Sequence, residues 1–206
     1  MKVEIKNLKK IFNNTLAVNN ISFIMEENKT LGLLGPNGCG KTTTIGMMLG
    51  LIEPSYGKIL INNKELSKID KNEYLSQINF ASPYIELPKK LTVRQNLEVY
   101  GRLYGVKNLK VRIDEITSDL DLKKFIDKKN GELSSGQKNR VSLAKSLINM
   151  PKILFLDEPT ASLDPDIGDF VREYIESYKK NNFVSILLAS HNMNEVERLC
   201  DNILSL

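Results

Sequence analysis

The chain contains a nine-residue segment whose residue types suit the binding of a phosphate group. It follows an apolar run at 30–34, precedes a helix-compatible segment at 42–51, and matches the pattern Gly-x-x-x-x-Gly-Lys-Thr. Glycines allow a tight turn there, and the backbone N–H groups and the helix N-terminus form a concave anion site. The predicted phosphate-binding residues are Gly35, Pro36, Asn37, Gly38, Cys39, Gly40, Lys41, Thr42 and Thr43.

Two residues of this segment carry the expected chemistry. Lys41 can reach the β- and γ-phosphates of a nucleotide, and the hydroxyl of Thr42 can ligate a magnesium ion. The alternative is a glycine-rich turn with a surface lysine. The strand and helix patterns on either side favour the phosphate site.

Two adjacent carboxylates, Asp157 and Glu158, follow the apolar run 153–156. At the tip of a buried strand, Asp157 is placed to hold a hydrated magnesium ion opposite a phosphate loop. Glu158 is placed to orient an attacking water or to accept its proton. The alternative is a strand end with two solvated acids, which the presence of the phosphate loop disfavours.

A second candidate anion site lies at residues 133–137, which read Leu-Ser-Ser-Gly-Gln before a helical segment. The serines can cap that helix, and its first amides can bind an anion. Taken alone, this segment is most simply a helix cap.

The elements that position these groups follow from hydrophobic patterning. Near-continuous apolar runs at 31–34, 153–156 and 184–189 are typical of parallel strands buried on both faces. They are followed by Gly35, Asp157 and His191. Because ligands bind beyond the carboxyl ends of such strands, we expect these residues to meet at one sheet edge.

The remaining elements complete an α/β pattern. Shorter strands are predicted at 3–8, 21–25, 57–61, 78–81 and 203–206. Helices are predicted at 93–104, 111–120, 137–149, 166–180 and 192–200. The first of these begins with the capping-box pattern Thr92-Val93-Arg94-Gln95, and Gly105 suits its end.

Composition restricts the class of protein further. The 206 residues are enough for one domain, with 41% hydrophobic and 26% charged residues. The net charge is only +4 and the lysines are spread along the chain, so no nucleic-acid partner is expected. Two cysteines without metal spacing, no long apolar run and no signal pattern at Met1 indicate a cytosolic protein.

Together, five ordered motifs resemble the ATP-binding cassette (ABC) ATPases, specifically the nucleotide-binding subunit of a transporter. They are the phosphate loop at 35–43, the signature segment at 133–137, the strand and carboxylates at 154–160, Ser162-Leu163-Asp164, and Ala189-Ser190-His191. The order and separations match the family, and the resemblance covers essentially the whole chain.

The resemblance implies a role for each matched residue. Glu158 is the catalytic base and His191 contacts the γ-phosphate and the attacking water, while Thr42 and Asp157 hold Mg²⁺. Cofactor-binding roles beyond the phosphate loop fall on Phe12, which stacks on adenine, and on Ser134, Ser135, Gly136, Gln137 and Asp164. The alternatives are a core phenylalanine at position 12 and an isolated surface histidine at position 191.

The resemblance also implies an architecture and partners. Residues 1–206 form a single ABC ATPase domain of the α/β class. Its P-loop NTPase core, with a parallel sheet, and its N-terminal antiparallel β portion together occupy about 1–84 and 151–206. A helical signature subdomain occupies 85–150. ATP and Mg²⁺ are the cofactors. Two ATPase domains, as a homodimer or heterodimer, sandwich ATP between them. A transmembrane permease subunit is the second partner, and it keeps the ATPase domains in the cytoplasm, bound peripherally at the inner face of the membrane. Residues 91–106 and 163–165 are similar to exporter-type cassettes.

Three features depart from the family pattern. Pro83 stands where a glutamine is usual, and Ser82 is the candidate replacement because proline has no side-chain ligand. Ser135 replaces the commonest glycine of the signature. The chain ends at Leu206, where the family usually continues through a hairpin, so the domain is minimal or its C-terminus is missing.

Other function classes remain open at this point. A soluble ABC protein acting on DNA, ribosomes or iron–sulfur assembly is one, although the chain lacks inserted heptads and a second cassette. A nucleotide-sensing module without turnover is another. Such a module would be expected to lack Glu158 or His191, and both are present. A P-loop kinase or GTPase would not need the segment at 133–137.

Overall fold

The computed structural model describes residues 1–161 and 163–206, so Ser162 lies outside the described residues. Its strands are β1 (Val3–Phe12), β2 (Thr15–Met25), β3 (Thr30–Leu34), β4 (Tyr56–Ile61), β5 (Lys64–Glu65), β6 (Ile78–Ala81), β7 (Ile153–Asp157), β8 (Ser185–Ser190) and β9 (Asn202–Ser205). Its α-helices are α1 (Lys41–Met48), α2 (Lys71–Ser76), α3 (Val93–Leu103), α4 (Leu109–Asp119), α5 (Ser135–Leu147), α6 (Pro165–Asn181) and α7 (Met193–Leu199). Short 3₁₀ turns occupy Leu66–Lys68 and Asn130–Glu132.

The N-terminal part of the chain forms the predicted antiparallel sheet, in the order β2-β1-β4-β5. Strands β1 and β2 are longer than predicted, because backbone pairing continues to Phe12 and Thr15 after the apolar pattern has ended. Asn13 and Asn14 both adopt positive φ and form the two-residue turn between the strands. Asn62 and Asn63 do the same after β4, as their sequence predicts.

A five-stranded parallel sheet, in the order β6-β7-β8-β3-β9, carries the predicted buried strands. Its register places Leu34 opposite Ser190 and Asp157 opposite Ala189. The chain therefore leaves β3, β7 and β8 at the same edge, and the expected meeting of the three strand ends is confirmed.

Each side of this sheet faces a different hydrophobic core. Along β7, Ile153 and Phe155 pack with the antiparallel sheet and α1, while Leu154 and Leu156 pack with the helical part of the chain. Successive side chains of a strand point to opposite faces, and here both faces are apolar because both are buried. Burial on both faces holds the strand that carries the two carboxylates.

The helices agree with the predicted ones to within a few residues. The capping box of Thr92 and Gln95 is present at the start of α3, and Gly105 follows its end with a φ of +65°. Helix α2 was not predicted, because its six residues are too few to show a helical period. Among the described residues, no helix is both long and apolar enough to cross a membrane.

Candidate functional site

The phosphate loop joins β3 to α1 and needs glycine for two separate reasons. Gly38 has a φ of +86° and Gly40 a φ of +104°, a backbone region that side chains rarely adopt. A Cβ at Gly40 would also lie 2.4 Å from the carbonyl oxygen of Ala17. The loop lines a cavity of about 150 Å³ together with Asp157 and Glu158.

Lys41, the first residue of α1, turns its ammonium group back over the loop. Its Nζ donates to the carbonyl oxygens of Gly35 at 2.7 Å and Pro36 at 3.1 Å. The same Nζ lies 3.4 Å from Oε1 of Glu158. The lysine thus places a nearly buried positive charge between the loop and the Glu158 carboxylate.

Thr42 and Asp157 are joined by a hydrogen bond. Thr42 donates its hydroxyl to Oδ2 of Asp157 at 2.7 Å. Burial raises the pKa of Asp157 above its usual value; the Thr42 hydrogen bond opposes this shift, nearby Glu158 adds to it, and Lys41 opposes it. Two hard oxygen groups therefore lie side by side at the cavity.

These two groups fit a magnesium ion. The described residues contain no cluster of three or more His, Cys, Asp or Glu side chains that could cage a metal by themselves. Magnesium commonly uses one or two protein ligands and takes the rest from water and substrate phosphates. Thr42 and Asp157, beside a phosphate loop, match that mode of binding.

Glu158 adopts a left-handed backbone conformation, with a φ of +52°. Such strained non-glycine residues cluster at functional sites, where the surrounding structure holds them. Here the Glu158 N–H donates to the carbonyl oxygen of Ala189 at 2.8 Å, which fastens the turn to β8. The carboxylate is directed into the cavity rather than continuing the line of β7.

Only one oxygen of the Glu158 carboxylate has a hydrogen-bond partner among the described residues. Oε2 lies 2.8 Å from Nδ1 of His191, which donates when the carboxylate is ionised. Oε1 is buried and has no hydrogen-bond partner among the described residues, although Lys41 is at ion-pair distance. The pair therefore orients one oxygen and leaves the other available to accept a proton.

A second carboxylate, Glu195 of α7, braces this edge and was missed by the sequence analysis. It is 2% exposed and accepts hydrogen bonds from Thr160 Oγ1 at 2.5 Å and Ser190 Oγ at 2.7 Å. Thr160 follows Glu158 by two residues, and Ser190 precedes His191. Glu195 consequently ties together the two segments that carry the Glu158–His191 pair. Only its place four residues after His191 could have drawn attention to it.

The signature segment caps α5, as its serines predict. Ser134 Oγ accepts from the Gln137 N–H at 3.3 Å, and Gln137 Oε1 accepts from the Ser134 N–H at 3.1 Å. Ser134 and Ser135 are exposed, whereas Gly136 is buried and a Cβ there would lie 2.7 Å from Ile167. None of these signature residues lines the phosphate-loop cavity of its own chain.

One further contact connects the signature helix to the carboxylates. Asn139, on α5, donates its amide to the carbonyl oxygen of Pro159 at 2.7 Å. Pro159 directly follows Glu158. The start of α5 is therefore fastened to the turn after Glu158, a link between residues twenty positions apart that no local pattern revealed.

Phe12 and Asp164 lie apart from the cavity lining. Phe12 ends β1 with an exposed ring, and the ammonium of Lys10 lies 4.8 Å from the ring centre. It is therefore not a core phenylalanine. Asp164 is exposed at the start of α6, where its side chain makes no capping hydrogen bond and Pro165 is the first helical residue.

The structure shows where the residues near the expected glutamine lie. Ser82 is buried, its hydroxyl accepts from the backbone N–H of Tyr84 at 3.3 Å, and it does not line the phosphate-loop cavity. Tyr84 lines that cavity instead. Ser82 as the replacement for the glutamine stays a prediction, and its hydroxyl accepts one hydrogen bond in the turn after β6.

Comparisons with known proteins agree with this geometry. Residues 18–161 match the family model described as "ABC transporter". The Nod factor export ATP-binding protein I of Burkholderia lata is 36% identical over 203 residues, which cover 98% of this chain and 66% of that protein. The ABC transporter ATP-binding protein NatA of Bacillus subtilis is 34% identical, with 91% of this chain and 77% of that protein covered.

Solved structures give the same fold. One described as the ATP binding subunit of an ABC transporter has a TM-score of 0.89 and 26% identity, and covers all of this chain and 86% of its own. A dimeric bacterial ABC transporter cassette has a TM-score of 0.89 and 24% identity, with 99% and 94% covered. The chain spans 66% of the length of the first export relative above.

We expect Gly40→Ala to destabilise the protein more than the matched change Gly38→Ala. Both positions have positive φ, which disfavours an L-residue by about 1–2 kcal/mol. Only Gly40 adds a clash with a backbone oxygen, whereas nothing lies within 4 Å of a Cβ at Gly38. Urea unfolding should show a difference of at least about 1 kcal/mol between the variants; equal losses would contradict the close approach to Ala17.

We expect Asp157→Asn to raise the free energy of unfolding at neutral pH. Because the pKa of Asp157 is raised, the folded state binds the Asp157 proton more tightly than the unfolded state does. The free energy of unfolding therefore falls as the pH rises from the ordinary aspartate pKa to the raised one. The amide lacks this loss and can still accept from Thr42. Urea unfolding without nucleotide or metal should show an advantage that shrinks as the pH is lowered; a less stable variant at neutral pH would refute it.

Replacing Glu195 by Gln should lower the free energy of unfolding by about 1–2 kcal/mol, because each carboxylate oxygen accepts from a different hydroxyl and the substitution turns one of these acceptors into an NH₂ donor. Glu197→Gln, at an exposed position of the same helix, is the matched control and should change it by less than about 0.5 kcal/mol. Denaturant unfolding of the two variants makes the comparison. Equal effects would show that the buried contacts of Glu195 do not stabilise this edge.

Proposed function

The chain belongs to the ABC transporter family, and from that membership we propose that it binds and hydrolyses ATP to power a separate membrane permease. The observation that carries this proposal is the chain of contacts from Lys41 through Glu158 to His191, beside the Thr42–Asp157 pair. It combines a phosphate cradle, a metal-binding pair and an oriented carboxylate in one cavity.

In this proposal the phosphate loop binds the nucleotide. Its amides and the N-terminus of α1 receive the phosphates, and Lys41 exchanges its bonds to Gly35 and Pro36 for phosphate oxygens. Thr42 and Asp157 would hold Mg²⁺, which neutralises charge that develops on the phosphates. Phe12 offers an exposed ring for the adenine base.

Hydrolysis then requires a positioned water, for which Glu158 is the proposed base. Water attacks the γ-phosphorus as the bond to the ADP oxygen breaks, and its proton passes to the free Oε1 of Glu158. His191 holds the other oxygen and, at its exposed position, can contact the γ-phosphate. The intact pair argues against a module that only senses nucleotide.

The signature residues are proposed to act on a second copy of an ATPase domain. Ser134 and Ser135 are exposed and lie outside the phosphate-loop cavity of their own chain. In a head-to-tail homodimer or heterodimer, the start of α5 would cover the γ-phosphate held by the partner, with Asp164 near the contact. The capped helix start is a suitable anion site.

A transmembrane permease is the proposed second partner, and it would keep this subunit at the cytoplasmic face of the membrane. The relative from Burkholderia lata is named for Nod factor export, and we propose export as the direction of transport here as well. The permease selects the substrate, so identifying the permease that co-purifies with the chain would define it.

Two substitutions test the ATPase proposal. Lys41→Ala should weaken ATP binding by about 100-fold or more, while the exposed control Lys64→Ala should not change it. Glu158→Gln should retain affinity within a few-fold and lose turnover by about 100-fold or more. Equilibrium ATP binding and phosphate release are the measurements.

Normal affinity in the Lys41 variant would exclude the phosphate-loop assignment. Wild-type turnover in the Glu158 variant would show that another group is the base.

A further inference from the structure

The loop after β6 contributes an aromatic residue to the lining of the phosphate-loop cavity. Tyr84 lines the cavity of about 150 Å³ together with Thr42, Asp157 and Glu158. The neighbouring Ser82 and Pro83 do not line it. Tyr84 is thus the residue of this loop that can meet a ligand held there.

The same residue also lines a second cavity, of about 330 Å³. Ser135 and Lys138, from the first turns of α5, line that second cavity. Tyr84 therefore stands between the phosphate loop and the signature helix. Its side chain is 70% exposed, so it is accessible from both cavities.

The backbone beneath Tyr84 is fixed although its side chain is exposed. Ser82 accepts from the Tyr84 N–H, Asn130 donates its amide to the Leu87 carbonyl at 3.1 Å, and Asn96 donates to the Pro88 carbonyl at 3.2 Å. A ligand would need to order only the two side-chain torsions of the tyrosine. A rigid aromatic presented in this way makes a contact at low entropic cost.

A further donor can serve a phosphate beside the two carboxylates of the cavity. Asp157 and Glu158 are acceptors when ionised, and the Thr42 hydroxyl already donates to Asp157. A terminal phosphoryl group brings several more acceptor oxygens. The phenol O–H is a neutral donor that can approach them without adding a second cation beside Lys41.

We propose that Tyr84 is a substrate-contacting residue whose phenol O–H donates to the terminal phosphoryl group of ATP. The inference rests on the proposed ATPase function and adds to it a group that distinguishes ATP from ADP. ADP lacks the terminal phosphoryl group and therefore does not receive this hydrogen bond. Tyr84 directly follows Ser82 and Pro83, the residues found where the family pattern has a glutamine.

The first test compares Tyr84→Phe with Tyr56→Phe in the full chain. Tyr56 is similarly exposed, at 66%, but lies on β4 and lines a different groove. Removing the Tyr84 hydroxyl should weaken ATP binding about 10-fold, as expected for a hydrogen bond to a charged group, and change ADP binding by less than about 2-fold. The Tyr56 variant should bind both nucleotides as the wild type does.

A second test uses the absence of tryptophan from the sequence. Tyr84→Trp introduces a single indole, whose emission should change on addition of ATP with Mg²⁺. The emission of a Tyr56→Trp variant should not change. No response from the indole at position 84 would overturn the placement of this residue at the bound nucleotide.

The outcomes separate the two proposals. If the wild type binds no ATP, the ATPase proposal itself fails. If the wild type binds ATP and Lys41→Ala does not, but Tyr84→Phe resembles the wild type or weakens ATP and ADP equally, only the role of the Tyr84 hydroxyl is refuted.

Discussion

Three charged side chains lie almost fully out of solvent at the carboxyl edge of the parallel sheet. Lys41, Asp157 and Glu158 are 5%, 1% and 4% exposed. Removing charges from water is unfavourable unless partners replace the lost hydration. The Lys41–Glu158 ion pair, the two loop carbonyls and the Thr42 hydroxyl supply those partners. The position of each of these groups is therefore constrained by the others.

The surrounding structure holds these three charged side chains in place. Strand β7 is buried on both faces, and the Glu158 N–H is bonded to β8. Glu195 then fastens the segments at Thr160 and Ser190, and Asn139 fastens Pro159. Buried polar networks of this kind rigidify a site when their members are satisfied. Oε1 of Glu158 is the exception within it, because it has the Lys41 ammonium at ion-pair distance but accepts no hydrogen bond from the described residues, and it lies where the chemistry is proposed.

Much of this arrangement could be predicted from the sequence, because it depends on local patterns. Apolar runs gave β3, β7 and β8, and the capping patterns gave the starts of α3 and α5. The strand ends that bring Gly35, Asp157 and His191 together follow from parallel pairing alone. The extra length of β1 and β2 could not be predicted, since hairpin pairing there does not require apolar residues.

The bracing contacts could not be predicted, because their partners are distant in sequence and ordinary in type. Glu195 is one of two glutamates on α7, and only the folded chain brings it to Thr160. Nothing in the local sequence pattern singles out Tyr84, whereas the polar side chain of Ser82 is the evident candidate there. The turn after β6 engages the serine hydroxyl and leaves the tyrosine at the cavity.

The capping box of α5 has a consequence for which residue types can occupy position 134. Serine, aspartate and asparagine cap helices about equally well. In this structure the Ser134 oxygen accepts from Gln137, so its hydroxyl hydrogen remains free to point outward. An aspartate would cap the helix yet present negative charge to an approaching phosphate. Helix stability alone therefore does not distinguish serine from aspartate, whereas the proposed contact of this helix start with an anion disfavours aspartate.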